Sequence, residues 1–350
     1  MPISVVVGGQ YGSEGKGKTS LHIARTDVTV AAIMRVGGSN SGHVGIARNG
    51  KRFALRQLPA GAIDGGLRIL IPAGSYIDVD ILFREINELG FDRSKITISP
   101  FAHIITEAHK AWERDTALRE AIGSTQSGTG AAVLSRIARG AGNLPPAVLA
   151  EDVQVLAEFM GDTTAIARSL LDQGKRIIIE GTQGFGLSAL HAEAWPKATS
   201  RDTTAGTFVA EAGLSPLDVD DVTLVLRCHP IRVAGRQSGP LPHETSWNAI
   251  AHEAGIDRDL TELTTVTQAP RRVGQFSADI VLQAIAVNRP SRIVLNHLDY
   301  VDPTVASGAL TTKAKQFVEA LSEAIGRPVD WVGVSPEHTF QWESKSVNVD

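Results

Sequence analysis

Short apolar runs rich in valine and isoleucine recur along this chain, and most are followed directly by a glycine-rich polar segment. Runs of this length and composition predict buried strands. The predicted strands cover residues 3–7, 29–34, 52–58, 67–71, 95–98, 176–179, 222–226 and 292–295. Helices are predicted over 78–89, 107–122, 151–173 and 279–288. The alternation of the two element types indicates an α/β fold with a mainly parallel central sheet flanked by helices.

The segment after the first strand has the composition of a phosphate-binding loop. Five glycines lie within residues 8–17, so the backbone can turn sharply with its N–H groups facing a ligand. Residues 12–19 satisfy the pattern G-x-x-x-x-G-K-[ST], and the residues that follow begin a helix whose N-terminus favours an anion. Lys16 and Lys18 are therefore candidate phosphate-binding cations.

Two more glycine-rich turns follow predicted strands, at 37–43 and 181–186, and a flexible hydroxyl-rich loop spans 123–130. In open α/β sheets such turns meet at the carboxyl ends of the strands and line the ligand crevice. His43 ends the first of these turns. It is a candidate general acid near neutral pH, although a lone histidine is more often a structural residue.

The composition is ordinary for a globular protein and narrows the possible partners. The 350 residues are 43% hydrophobic and 21% charged, with a net charge of −4. This charge offers no positive field to nucleic acid, and no apolar stretch approaches the ~20 residues that span a bilayer. Cys228 is the only cysteine, which fits a reducing compartment. We expect a single cytoplasmic domain, residues 1–350, without nucleic-acid or membrane partners.

Residues 9–17, Gly-Gln-Tyr-Gly-Ser-Glu-Gly-Lys-Gly, resemble the signature G-Q-W-G-D-E-G-K-G of the adenylosuccinate synthetase family. The resemblance continues to position 336, through motifs at 37–43, 123–130, 180–184 and 195–206. It implies the P-loop-like nucleotide-binding fold of that family. It also implies a ligase that joins L-aspartate to the 6-position of a purine nucleotide, using a nucleoside triphosphate and a 6-phosphoryl intermediate.

The resemblance also implies a role for individual residues. The substrate nucleotide is expected at Ser13, Asn40, Ser124, Thr125, Arg139, Gln183, Thr199 and Val233, and aspartate at Thr267, Arg271 and Arg272. The triphosphate donor is expected at Gly12, Glu14, Gly15, Lys16, Gly17, Lys18, Thr19, Gly42, His43, Asn296, Asp299, Gly333 and Pro336. Ser13, His43 and Lys16 are the catalytic candidates, and Mg²⁺ is expected at Gly42 and Ser13. Arg139 matches an arginine that reaches the phosphate of a neighbouring subunit, which implies a homodimer.

Three positions depart from the family pattern. Ser13 stands where the family has an aspartate that acts as the catalytic base. Ala269 replaces an arginine of the aspartate-binding loop, which leaves one carboxylate short of a partner. His297 replaces the lysine of a T-K-L-D motif, so ATP or dATP becomes a candidate donor in place of GTP.

Serine at position 13 indicates a purine substrate other than the hypoxanthine of IMP. A serine side chain is smaller than aspartate, and its oxygen can accept a hydrogen from the 2-amino group that guanine has and hypoxanthine lacks. A site that bonds an added amino group discriminates strongly against the analogue without it. We therefore predict dGMP or GMP as the substrate. The resemblance to the phage branch that makes 2-aminoadenylosuccinate favours dGMP, and the base for the N1 proton is unassigned. Two alternatives stay open: an ordinary synthetase acting on IMP with GTP, and a catalytically silent nucleotide-binding paralogue.

Overall fold

The computed structural model describes residues 2–264 and 268–342, and a nine-stranded sheet forms its centre. The strands are β1 (Ile3–Gly8), β2 (Val30–Arg35), β3 (His43–Ile46), β4 (Arg52–Leu55), β5 (Arg68–Ile71), β6 (Tyr76–Ile77), β7 (Ile96–Ile98), β8 (His103–Ile104), β9 (Arg176–Glu180), β10 (Val219–Arg227), β11 (Ile231–Arg232), β12 (Glu244–Thr245), β13 (Arg272–Gly274), β14 (Arg292–Asn296), β15 (Trp331–Gly333) and β16 (Thr339–Gln341). The sheet order is β16-β15-β14-β10-β1-β9-β2-β5-β7, and every neighbouring pair is parallel except β15 with β16.

Helices flank this sheet. They are α1 (Lys16–Thr26), α2 (Val79–Leu89), α3 (Glu107–Asp115), α4 (Leu118–Ile122), α5 (Thr129–Ala138), α6 (Thr163–Asp172), α7 (Ala205–Glu211), α8 (Trp247–Ala254), α9 (Ala278–Asn288) and α10 (Thr312–Ile325). The predicted fold class, a mainly parallel sheet between helices, is confirmed. Among the described residues, no helix combines the length and apolar character that a membrane span requires.

The central strand β1 shows why both faces of the sheet are covered. All six of its residues are buried. Successive side chains of a strand point to opposite faces. Val5 and Val7 accordingly pack in one apolar cluster with helices α9 and α10, whereas Val6 packs in a second cluster with α1 and α2. A strand that is apolar on both faces is the sequence pattern of a buried parallel sheet.

Two predicted helices differ from the observed elements. The segment 107–122 breaks at Ala117, whose φ of 53° lies in the left-handed region, so that α3 and α4 are separate helices. The segment 151–173 contains two short 3₁₀ turns before α6, which begins where the Asp162 side chain accepts a hydrogen bond from the Ala165 N–H at 2.9 Å. This cap satisfies one of the free N–H groups at the helix start and fixes the boundary.

The topology brings several loops to one edge of the sheet. Strands β1, β9 and β2 are neighbours, and each leads at its carboxyl end into a glycine-rich segment. On the other side of β1, strand β10 leads toward a small sheet of β11, β13 and β12. Because the carboxyl ends of parallel strands share one edge, these segments converge on a common crevice.

Candidate active site

A cavity of about 710 Å³ opens at this edge of the sheet. Its lining brings together residues that are far apart in the sequence and that were predicted to bind ligands. These residues are Gly12, Ser13, Lys16, Asn40, Gly42, His43, Ser124, Thr125, Gln183, Thr199, Val233 and Arg271. A volume of this size is typical of small-molecule sites.

Glu14 holds the glycine loop after β1 in shape. Its Oε1 accepts hydrogen bonds from the N–H groups of Gln10 at 3.2 Å and Gly12 at 2.7 Å, and its Oε2 pairs with Lys16 Nζ at 2.7 Å. Both members of the ion pair are buried. Lys16 is thereby fixed at the cavity wall as a cation, which is the position that a phosphate-binding lysine requires.

Lys16 and Lys18, the two candidate cations, are separated by the structure. Lys18 does not line the main cavity, and its Nζ donates to the Ser335 carbonyl at 2.6 Å. Burial lowers the pKa of Lys18 to about 8, although Asp299 and Glu337 favour the charged form and oppose this shift. Lys16 is therefore the one of the two that faces a ligand in the main cavity.

Other residues predicted for the donor surround the start of α1. Asn296 Nδ2 donates to the Glu14 carbonyl at 2.9 Å and to Thr19 Oγ1 at 3.4 Å. Gly15 has a φ of 96°, and a Cβ there would lie 2.6 Å from Asn296 Nδ2, so a larger residue is excluded. Gly17, Gly333 and Pro336 belong to the same cluster. A Cβ at Gly17 would contact His43, and a Cβ at Gly333 would contact Lys18. Pro336 shares a small cavity with Lys18.

Ser13 is held by two arginines. Its φ of 57° places it in the left-handed region at the loop tip. Arg271 Nη1 donates to Ser13 Oγ at 2.7 Å, and Arg227 Nη1 donates to the Ser13 carbonyl at 3.2 Å. Both guanidinium groups lie beside Glu262, which Arg227 Nη2 reaches at 2.6 Å and Arg271 Nε approaches at 3.9 Å.

The Arg227–Glu262 pair was not predicted from the sequence. Arg227 is fully buried, and burial by itself raises the pKa of Glu262. The charge of Arg227, the adjacent His297 ring and the charge of Arg271 outweigh that penalty and hold the pKa of Glu262 at about 2. A permanently ionised Glu262 thus anchors the arginines that contact Ser13. No local motif marks Glu262, because its partners lie on other elements.

His43 forms a second buried pair, with Glu180. Its Nδ1 lies 2.6 Å from Glu180 Oε1, and that carboxylate also accepts from the N–H groups of Ala60 and Gly61. Burial and the nearby charge of Arg35 lower the pKa of His43 to about 4, although Glu180 opposes the shift. Burial would raise the pKa of Glu180, but its partners His43 and Arg35 hold it at about 2.

This pair fixes the tautomer of the histidine. An ionised Glu180 can only accept, so the neutral His43 ring carries its proton on Nδ1. Nε2 is then the nitrogen that is available to a ligand in the cavity. Glu180 was predicted only as part of a glycine motif, and its role in orienting His43 is evident from the fold alone.

The buried His43 predicts acid sensitivity. Below pH 6.5 the unfolded chain takes up a proton at His43 that the folded protein excludes until about pH 4. The free energy of unfolding should therefore fall as the pH drops through this window, by about 2 kcal/mol between pH 6.5 and 4.5 through this group. Urea unfolding of the wild type and of His43→Asn at both pH values measures the difference.

The asparagine variant keeps a donor for Glu180 and removes the titrating ring. Between pH 6.5 and 4.5 its free energy of unfolding should fall by about 2 kcal/mol less than that of the wild type. His252→Asn, at an exposed position of α8, is the matched control and should behave as the wild type does. Equal pH dependence in His43→Asn and the wild type would contradict the assignment of a depressed pKa to His43.

Arg272 and Arg139, two predicted site residues outside the donor set, do not line the main cavity. Arg272 bonds both oxygens of Glu244, at 2.7 and 2.5 Å, and donates to the Gly239 carbonyl at 2.7 Å, so its guanidinium is occupied by structural contacts. The predicted contact of Arg272 with aspartate stays a prediction, and these contacts do not support it. Arg139 is exposed at the end of α5. Thr267 lies outside the described residues.

Of the two predicted magnesium ligands, Gly42 is suited to hold Mg²⁺ and Ser13 is not. Among the described residues there is no cluster of three or more side chains from His, Cys, Asp and Glu that could hold a metal ion. Mg²⁺ is usually held by one or two protein ligands together with substrate phosphates and water, and Gly42 at the cavity wall fits that pattern. Ser13 does not, because its Oγ already accepts from a guanidinium at 2.7 Å, and this positive charge repels a cation.

The parallel sheet, the phosphate-binding loop and the charged cavity define a nucleotide-binding α/β enzyme. The sequence model of the family described as adenylosuccinate synthetase matches residues 5–145 and 146–306. The chain belongs to the adenylosuccinate synthetase family, whose members are carbon–nitrogen ligases that use aspartate. The family that the sequence motifs predict is thereby confirmed.

Similar proteins include archaeal and phage enzymes. The adenylosuccinate synthetases of Pyrococcus sp. (strain ST700) and Methanocaldococcus jannaschii are 35% and 36% identical over 344 residues, covering 96% and 95% of this chain and 97% and 94% of theirs. Cyanophage S-2L succinoaminodeoxyadenylate synthetase (PurZ), solved with dGMP and with dATP as an energy donor, superimposes with a TM-score of 0.80 at 29% identity, covering 97% of this chain and 95% of its own. This likeness supports the predicted PurZ-like branch. The Plasmodium falciparum adenylosuccinate synthetase has the same fold, with a TM-score of 0.83 at 19% identity, and the match covers 98% and 100% of the two chains.

Proposed function

We propose that this enzyme joins L-aspartate to the 6-position of dGMP, with ATP or dATP as the phosphoryl donor, and forms 2-amino-2′-deoxyadenylosuccinate. Such a product is a precursor of 2-aminoadenine nucleotides for DNA. The 6-oxygen of the purine attacks the γ-phosphate, the nucleoside diphosphate leaves, and the aspartate amine then displaces the 6-phosphoryl group as phosphate. Loss of protons from N1 and from the amine balances the reaction.

The observation that carries the proposal is the Ser13 hydroxyl at the cavity wall. Ser13 Oγ accepts from Arg271 at 2.7 Å, which leaves a second lone pair for a donor on the substrate. The 2-amino group of guanine is such a donor. The hypoxanthine of IMP has none at that position. The phage enzyme solved with dGMP and dATP is the relative that supports this substrate pair.

Lys16 and His43 have complementary roles in this mechanism. The fixed charge of Lys16 neutralises the donor phosphates, since phosphoryl transfer depends mainly on positioning and charge. His43 is neutral in the free enzyme, and the negative phosphates beside its ring would raise its pKa and favour the protonated form. Nε2–H then donates to the 6-oxygen or to the phosphoryl group that it carries. Mg²⁺, held by the Gly42 carbonyl and the phosphates, would supply further charge neutralisation.

In this proposal the 5′-phosphate of the substrate binds the hydroxyl and amide donors of Ser124, Thr125, Asn40 and Thr199, which line the cavity. Gln183 and Val233, which also line it, would contact the base and the sugar. We propose that Arg139 completes this site in a homodimer. On the same helix, Leu134 and Ile137 line the cavity but are 44% and 69% exposed, so a second subunit has an apolar surface to cover.

Arg271 is the aspartate-binding arginine in this proposal, since it alone of the two predicted arginines lines the cavity. The base that removes the N1 proton stays unassigned. Glu14, the carboxylate beside Ser13, is engaged by Lys16 and two backbone N–H groups, and is therefore a poor acceptor of a substrate proton.

A second candidate function is ordinary adenylosuccinate synthesis from IMP and GTP. The observation in its favour is that archaeal relatives 35–36% identical to this chain carry that name. Against it, Ser13 removes the carboxylate base. A catalytically silent paralogue is disfavoured because Lys16, His43 and Arg271 are all brought to one cavity.

The test is a substrate panel. The enzyme is incubated with aspartate and Mg²⁺, each of dGMP, GMP and IMP, and each of ATP, dATP and GTP. Phosphate release and product mass are measured. We expect turnover with dGMP when ATP or dATP is the phosphoryl donor. The mass of the product should show aspartate joined to the purine nucleotide. Lys16→Ala should abolish this turnover, so it gives the background from contaminating phosphatases.

Turnover with IMP and GTP alone would support the ordinary synthetase in place of the dGMP ligase. Absence of turnover with every pair would favour the silent paralogue. Both results would contradict the proposed function.

A further inference from the structure

The contact between Arg271 and Ser13 joins two sites that the proposed function treats separately. Arg271 belongs to the predicted aspartate site, and Ser13 belongs to the nucleotide site. Their side chains meet at 2.7 Å although 258 residues separate them in the sequence. Both line the same cavity, which is where the proposed function places both ligands.

Several contacts hold the backbone and the side chain of Arg271 in this position. Its Nε donates to the Leu263 carbonyl at 3.1 Å, and Trp247 Nε1 donates to the Arg271 carbonyl at 2.7 Å. The Arg271 N–H donates to the Glu262 carbonyl at 2.8 Å. The side chain is only 14% exposed. With its backbone and its Nε both held, Arg271 loses little freedom when its remaining N–H groups bond a further group.

A guanidinium has five N–H donors. In Arg271 one is used by Leu263 and one by Ser13, which leaves three for the carboxylate of aspartate. Arg271 can therefore hold Ser13 and aspartate at the same time. Its bond to Ser13 occupies one lone pair of Oγ, so the remaining lone pair and the hydroxyl hydrogen have a defined direction.

We propose that Arg271 is a positioning residue for Ser13, in addition to its contact with aspartate, and that it couples the two substrates. This inference rests on the proposed function. By orienting the hydroxyl, Arg271 sets the discrimination between purines with and without a 2-amino group. Bound aspartate immobilises the guanidinium further and tightens the binding of dGMP.

The test measures binding without a triphosphate, so that no reaction occurs. Dissociation constants for dGMP and dIMP, which differ only in the 2-amino group, are determined by calorimetry for four proteins: the wild type, Ser13→Ala, Arg271→Lys and the double variant. A lysine keeps the charge but lacks the fork that reaches Ser13 and Leu263 together. We expect the dIMP-to-dGMP ratio of dissociation constants to fall about tenfold in each single variant. The double variant should show no further loss, since both changes break the same bond.

An arginine away from the cavity offers a control. Arg168→Lys changes a guanidinium that bonds both carboxylate oxygens of Asp218 and does not line the cavity, so its ratio should equal that of the wild type. A ratio in Arg271→Lys that also equals that of the wild type would overturn the positioning role while the proposed function stands. A wild type without preference for dGMP would overturn the proposed function and the inference together.

A second measurement needs no change at Arg271. The dissociation constant for dGMP is determined with and without saturating aspartate, in the wild type and in Ser13→Ala. We expect aspartate to tighten dGMP binding several-fold in the wild type and to have no effect in the variant. Equal tightening in both proteins would contradict the coupling through the Arg271–Ser13 bond.

Discussion

Ser13→Asp is expected to remove most of the preference of the enzyme for dGMP over dIMP. A carboxylate is larger than the hydroxymethyl group and takes the space that the 2-amino group needs. It would also form an ion pair with Arg271, whose Nη1 lies 2.7 Å from Ser13 Oγ. We expect the ratio of kcat/KM for dGMP to that for dIMP to fall on the order of 100-fold, with a gain for dIMP from the restored N1 base.

Backbone strain does not complicate this exchange. Ser13 has a φ of 57°, and aspartate is among the residues that adopt this conformation readily. Ser13→Ala separates size from hydrogen bonding, because it leaves room for the 2-amino group and removes its acceptor. It should lower kcat/KM for dGMP about tenfold and leave the value for dIMP unchanged. An unchanged dGMP-to-dIMP ratio in Ser13→Asp would contradict the role given to the hydroxyl.

His43→Asn is expected to lower kcat by about 10²- to 10⁴-fold. The asparagine amide can take the place of Nδ1 and donate to Glu180, so the buried carboxylate keeps its partner. The variant lacks Nε2, the nitrogen that faces the 6-oxygen in the proposed mechanism. Binding of dGMP should change little, because the base is recognised by other residues. Steady-state kinetics together with a dGMP dissociation constant separate the two effects.

His252→Asn serves again as the control, since this exposed histidine lies on α8. It should retain the kcat of the wild type. A His43→Asn enzyme that keeps its kcat would show that this ring contributes position or packing only, and not proton transfer.

Much of the fold follows from local sequence patterns. The apolar run of β1 and the glycines after it predict both a buried central strand and a phosphate-binding loop, because each signal lies within a few neighbouring residues. Helices α8 and α10 lie outside the predicted elements, yet Ser246 and Thr311 cap them and Gly255 and Gly326 end them. These capping residues are the signals that would have located both helices.

The electrostatic partners of the site could not be predicted in the same way. Glu180 lies 137 residues from His43, and Glu262 lies 35 residues from Arg227. Such pairs form only once the strand order is set, and no spacing rule encodes them. The motif that contains Arg271 and Arg272 illustrates the limit, since adjacent residues have different surroundings and only Arg271 lines the cavity.

Recognition of the 2-amino group is tested most directly by comparing dGMP with dIMP under identical conditions, with saturating aspartate, Mg²⁺ and dATP. The two nucleotides differ only in the 2-amino group, so the ratio of their kcat/KM values isolates its recognition by Ser13. The proposed role of Ser13 predicts a ratio above about 100 in favour of dGMP. A ratio of one, or a preference for dIMP, would contradict it.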